Sequence, residues 1–161
     1  MNDTPILAVA QRGEPILTLT ASPVIASEFN TTWLYNLIDA MQNTMQERQG
    51  VGIAAPQVYI SKRIIIVASR PNLRYPDAPD MPAVAMMNPE IIQASADTLL
   101  GEEGCLSVPD QRGTVPRAAH IQVRYYDVTG QPHTQDFAGF PARIVQHEID
   151  HLNGVLFVDR L

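Results

Sequence analysis

His147-Glu148-Ile149-Asp150-His151 is the stretch on which the reading of this sequence turns. It matches the pattern H-E-x-x-H. In a helix of 3.6 residues per turn, positions four apart project from one face, so both imidazoles can reach a single metal ion. Glu148, next to the first histidine, can then sit over a metal-bound water as general base. The pattern is specific here. With four His and seven Glu in 161 residues, a shuffled chain would contain it about 0.004 times. The flanks agree with a helix over 141–152, because Pro141 suits a first helical turn and Gly154 a C-terminal stop.

Two histidines are too few for a catalytic site, which uses three protein ligands and leaves a position for water. A third ligand downstream is not expected. Gly154 stands where H-x-x-G-x-x-H would have its glycine, but Phe157 takes the place of the last histidine. Only one carboxylate, Asp159, follows the motif, and it lies beyond the helix stop. Upstream, Cys105 is the best candidate, since a thiolate is a strong ligand for zinc or ferrous iron. His120 flanks a strand and His133 follows Pro132 at a hairpin, so both read as surface residues.

Working outward, a helix over about 27–48 is read from Phe29, Trp33, Leu37, Met41 and Met45, with Ser27 as its N-cap and Gly50 as its stop. Its apolar stripe is expected to pack in the core. Lys62 to Ala68 reads as a buried strand, 70–82 as an exposed proline-rich loop, and 83–92 as a strand interrupted at Asn88-Pro89. Residues 100–116 are punctuated by Gly and Pro and carry the lone cysteine. Residues 121–126 and 132–138 form a hairpin around Asp127-Val128-Thr129-Gly130. The expected fold class is α+β, with mainly antiparallel sheets packed around the central H-E-x-x-H helix and a second long helix near the N-terminus. The chain is expected to form one domain over 1–161.

A net charge of −6 argues against a nucleic-acid binder. One cysteine rules out an intramolecular disulfide, so folding needs no oxidising compartment. No run approaches a membrane span, and Met1 to Ala10 has no basic leader region, so a cytoplasmic protein is expected.

Three segments together resemble the peptide deformylase family. Gly50 to Gln57 resembles its first motif, G-φ-G-φ-A-A-x-Q, where φ is apolar. Glu103-Gly104-Cys105-Leu106-Ser107 resembles the second, E-G-C-φ-S. Gln146 to His151 resembles the third, Q-H-E-x-D-H. No motif position departs from the pattern. The resemblance implies that Cys105, His147 and His151 hold one divalent metal with water as fourth ligand. Fe(II) is expected in the cell, with Zn(II), Ni(II) or Co(II) possible after purification. It implies that Glu148 takes a proton from that water and passes it to the leaving amine. The side-chain amide of Gln57 and the backbone N–H of Leu106 would stabilise the oxyanion. The reaction would be removal of the N-formyl group from the initiator methionine of nascent polypeptides, releasing formate.

Further expectations follow from that resemblance. Gly50, Gly52 and Gly104 would let an extended peptide pair with the backbone. Val51, Phe140 and Ile144 would form the methionine pocket, and Arg112 would meet the carboxyl end of a short peptide. Glu103 and Arg117 match positions that pair to brace the site, and Asp150 would orient neighbouring groups. Many relatives continue into a basic C-terminal helix. Here Arg160 is the one positive charge after His151, so at most weak ribosome contact is expected, from a monomer. The rival readings are an H-E-x-x-H metallopeptidase and a non-catalytic protein with a structural Cys-His-His site.

Overall fold

A computed structural model of the chain describes residues 5–161. The first four residues, part of the stretch read as lacking a leader, lie outside the described residues. A 16-residue helix, α1 (Thr32–Glu47), leads into a short strand, β1 (Gly52–Ala54). Five strands follow: β2 (Ile64–Ser69), β3 (Met81–Ala94), β4 (Thr98–Cys105), β5 (Val108–Ala118) and β6 (His120–Tyr126). The last strand, β7 (Pro132–Ala138), runs into the second helix, α2 (Gly139–Leu152). The strands form a five-stranded sheet, in the order β1-β2-β3-β6-β7, and a separate β4–β5 hairpin, with every strand pair antiparallel. The α+β expectation holds.

The uninterrupted apolar run Ile64-Ile65-Ile66-Val67 is explained by two covered faces. Ile65 and Val67 pack with Ile144, Val145, Ile149 and Leu152 of α2. Ile64 and Ile66 pack with Leu34, Leu37, Ile38, Met41 and Met45 of α1. Alternate residues of a strand point to opposite faces, so a sheet between two helices needs apolar residues at every position. The motif helix is therefore central. From Ala142 to Leu152 its only residue not buried is Gln146, whose amide accepts from Ala118 N (3.1 Å) and donates to Ala118 O (3.0 Å). That pair ties α2 to the end of β5.

Three local readings are corrected or completed. First, α1 starts at Thr32, not near Ser27. Asn30 takes a left-handed backbone (φ 57°), and Thr31 caps the helix by accepting from Leu34 N at 3.2 Å. Phe29 therefore lies ahead of the helix against Tyr126, and Trp33 is 43% exposed rather than core. At the other end it is Gln49 that turns left-handed (φ 56°), one residue before Gly50. Second, residues 100–116, which the sequence assigns to no element, are ordered. They lie mostly in the β4–β5 hairpin, where prolines are tolerated because each strand of a two-stranded sheet is an edge. Third, the 70–82 loop is irregular but not wholly exposed: Tyr75 folds inward, its ring 5.0 Å from that of Phe140. Among the described residues no helix is long and apolar enough to cross a membrane.

Candidate metal centre and active site

The site lies where the β4–β5 hairpin meets α2. Cys105 ends β4, and His147 and His151 stand one turn apart on the helix, ring centroids 5.1 Å apart. All three are buried, and one donor atom from each lies within 4.8 Å of the others. Cys105 Sγ is 3.3 Å from His151 Nε2. A thiolate and two imidazoles form a donor set suited to zinc, iron or nickel. Glu148 Oε1, beside these donors, is buried with no hydrogen-bond partner among the described residues. Polar atoms are rarely left so unless something else occupies the site. The residues fit a metal ion.

Charges around these donors are arranged in a chain. His147 Nδ1 lies 2.9 Å from Glu103 Oε1, which leaves Nε2 facing Cys105 and Glu148. Arg117 grips Glu103 through two nitrogens, Nε to Oε2 at 2.8 Å and Nη2 to Oε1 at 2.9 Å. Its remaining nitrogen reaches Asp150 Oδ2 at 2.6 Å, and Asp150 also accepts from Arg160. Glu103, Arg117 and Asp150 thus stand together behind His147. Burial alone would raise the Glu103 pKa, but the Arg117 and His147 contacts dominate and hold it down at about 2. Burial likewise pushes the Cys105 thiol up, yet His151 and His147 bring it well below its ordinary value, toward thiolate. Glu148 moves the other way. Desolvation raises its pKa against the pull of the two histidines.

The Glu103 shift carries a pH prediction. Its folded pKa, about 2, lies below the ordinary 4.5, so its contribution is present above 4.5 and lost as pH falls toward 2. That is about 3 kcal/mol for metal-free protein at neutral pH. Thermal melts from pH 5 to pH 2 should show a steep loss of stability, flattened in Glu103→Gln. Equal slopes in the two proteins would contradict the linkage.

Gln57 sits in the turn after β1. Its Oε1 accepts from Ala54 N at 2.9 Å, which fixes the amide so that Nε2 faces Ser107 Oγ (3.0 Å) and Cys105 Sγ (3.6 Å). Val51, Gly52, Gln57, Glu103, Gly104, Leu106, Phe140, Ile144 and Glu148 line one pocket with Cys105 and His147. Gly50 lies outside it, in a neighbouring cleft with Gln46 and Arg70. Arg112 lines an adjoining cleft that shares Tyr75 and Phe140 with the pocket, and it is paired with Glu102 and 4.8 Å over the Tyr75 ring. His120 and His133 are exposed.

Gly52 is required by close approach. A Cβ there would lie 2.5 Å from Glu148 Oε2 and 2.9 Å from its Cγ and Cδ. Gly52→Ala should keep its metal and lose about 100-fold in kcat, because the buried carboxylate has to move. A kcat within a few-fold of wild type would show that the carboxylate tolerates the shift.

Sequence reasoning missed Arg143, Ser107, Arg74 and Tyr75, all at or beside the pocket. A signal existed for Arg143. It is a charge inside the apolar run Ala142-Arg143-Ile144-Val145, four residues before His147 and so on its face.

A family model described as polypeptide deformylase matches residues 6–161. "Peptide deformylase 2" of a Nostoc species is 48% identical over 156 residues, covering 97% of this chain and 86% of the relative. The crystal structure of class I type b peptide deformylase from Acinetobacter baumannii with Met-Ala-Ser bound is 64% identical. It superposes with a TM-score of 0.96 over 98% of this chain and 99% of that one. The crystal structure of peptide deformylase from Thermotoga maritima is 36% identical, with a TM-score of 0.86 over 98% of each chain. With the family model matched over nearly its whole length and close relatives at this identity, the chain belongs to the polypeptide deformylase family.

Proposed function

We propose that this chain hydrolyses the N-formyl group from the initiator methionine of nascent polypeptides, releasing formate, with Glu148 as proton carrier and Cys105, His147 and His151 as metal ligands. The observation that carries this reading is the buried Cys-His-His cluster beside a carboxylate oxygen with no protein partner. When bound, the metal supplies a Lewis acid and lowers the pKa of water toward neutrality. We take ferrous iron as the metal in the cell, with zinc, nickel or cobalt able to replace it; one thiolate and two imidazoles suit them all.

The chain's own residues do the rest. Glu148 takes the proton of the attacking water and delivers it to the methionine amine as the C–N bond breaks. Its burial raises its proton affinity toward what that shuttle needs. Gln57 is an uncharged donor, oriented by Ala54 and Ser107, for the oxyanion that grows on the formyl oxygen. The backbone N–H of Leu106 is its second donor. β1 is an edge strand, so a peptide can add beside it along Val51 and Gly52. Val51, Phe140 and Ile144 then form the apolar wall for the methionine side chain, and Arg112 in the adjoining cleft meets the far end of a short peptide.

Met-Ala-Ser, the ligand in the Acinetobacter relative, is what formyl-Met-Ala-Ser leaves once the formyl group is removed. Ribosome contact is at most weak, in keeping with a net charge of −6. We read the protein as a cytoplasmic monomer. Anaerobic incubation of the iron form with formyl-Met-Ala-Ser tests the assignment. Formate and intact Met-Ala-Ser are expected; release of Ala-Ser would mark a peptidase, and no reaction would remove the enzymatic reading.

A further inference from the structure

We infer that Arg143 is a positioning residue for the metal centre, locking the β4–β5 hairpin to α2 through Glu103, and that Gly101 is the socket that admits its guanidinium. The inference rests on Cys105, His147 and His151 being the metal ligands.

That ligand set is split between two bodies. Cys105 rides on the hairpin, and His147 and His151 ride on α2. Whatever sets the hairpin against the helix therefore sets the spacing of the donors. Arg117 reaches α2 at Asp150, and Gln146 of α2 holds Ala118, but the grip of Arg117 on Glu103 itself lies within the hairpin. Arg143 belongs to α2, one turn before His147. It is 7% exposed, and a buried guanidinium is costly unless its donors are met. Here they are met by the hairpin. Nη1 donates to Glu103 Oε2 and Val115 O, each at 2.7 Å, and Nη2 donates to Leu99 O at 2.7 Å. Both hairpin strands are held, and Glu103 keeps Oε1 for His147 Nδ1 at 2.9 Å.

Gly101 pairs with Val115 across the hairpin. A Cβ on it would lie 2.6 Å from Arg143 Cζ and Nε and 2.8 Å from Nη2. Its backbone is not left-handed, so an alanine there acts through this collision alone. A guanidinium can meet two strands and a carboxylate at once because its donors form a planar fork. A lysine ammonium is a single point.

The test uses zinc-loaded protein with three readouts: metal release to a chelator, the His147 Nδ1–H resonance in NMR spectra, and kcat against KM. Arg143→Leu and Gly101→Ala should each release metal about 10-fold faster or more, shift or broaden that resonance, and lower kcat more than they raise KM. Arg143→Lys should recover part of the loss. Gly101→Ala should add little in the Arg143→Leu background, since the collision is gone. Val123→Ala, on β6 in the core, removes no contact of Arg143 or Gly101 and should lower the melting temperature without moving either metal release or the resonance. Unchanged release and resonance in Arg143→Leu, or equal changes in Val123→Ala, would overturn the inference. If Arg143→Leu does not fold, Gly101→Ala and Arg143→Lys decide by the same readouts. Wild-type protein that takes up no metal would overturn the ligand assignment and this inference together. Wild-type protein that holds metal beside an unaffected Arg143→Leu would overturn the inference alone.

Discussion

Glu148→Gln keeps its metal, keeps or gains thermal stability, and loses about 10²- to 10⁴-fold in kcat. The three parts of this expectation have one cause. Glu148 is buried, its Oε1 has no partner among the described residues, and desolvation raises its pKa. A group whose folded pKa is raised stabilises the fold only while protonated, and that contribution is lost as pH rises. Burying this carboxyl therefore costs the metal-free protein folding stability above the ordinary carboxylate range. A neutral amide of the same shape removes that cost. It also removes the one carboxylate at the pocket, among the described residues, that is free to accept and return a proton, since Glu103 is held by Arg117, Arg143 and His147. A loss of that size corresponds to about 3–5 kcal/mol of transition-state stabilisation. Melting curves, metal content and kcat measured on one preparation check all three parts. Activity within a few-fold of wild type would move the base role elsewhere.

Cys105→Ser is expected to lose metal by more than about 100-fold in affinity, beyond what loss of an outer partner costs. Activity should fall with metal content. His151 and His147 stabilise a thiolate at Cys105, and a serine hydroxyl beside the same two imidazoles stays protonated. It offers neither the charge nor the soft donor. Cys105 is also buried with Leu17, Val108, Val115 and Phe157, so some stability loss accompanies the change. Metal per chain and competition against a chelator separate the two effects. A Cys105→Ser protein that holds metal as tightly as wild type would reject the thiolate as a ligand.

How much could be read from the sequence depended on the range of the contact. The facing of His147 and His151 is a local property of helical spacing, so it was legible at once. The strand at Ile64–Val67 was legible because burial on both faces writes itself as an unbroken apolar run. The β4–β5 hairpin was hidden. Gly101, Gly104, Pro109, Gly113 and Pro116 look like loop punctuation, while what orders these strands is their pairing and the guanidinium of Arg143. The start of α1 was misplaced because the apolar spacing of Phe29 continues through Asn30, whose left-handed backbone ends the helical path. The contact of Glu103 with His147 spans 44 residues and follows from no spacing rule. Its bracing role came from the family resemblance, and Arg143 lay outside that pattern altogether.

Metal titration of the metal-free protein under anaerobic conditions tests the central claim most directly, with formate release from formyl-Met-Ala-Ser as the signal. Activity should be absent without metal, rise in proportion to added ferrous iron, and break at one ion per chain. Full activity before any metal is added, or none at one equivalent, would contradict it.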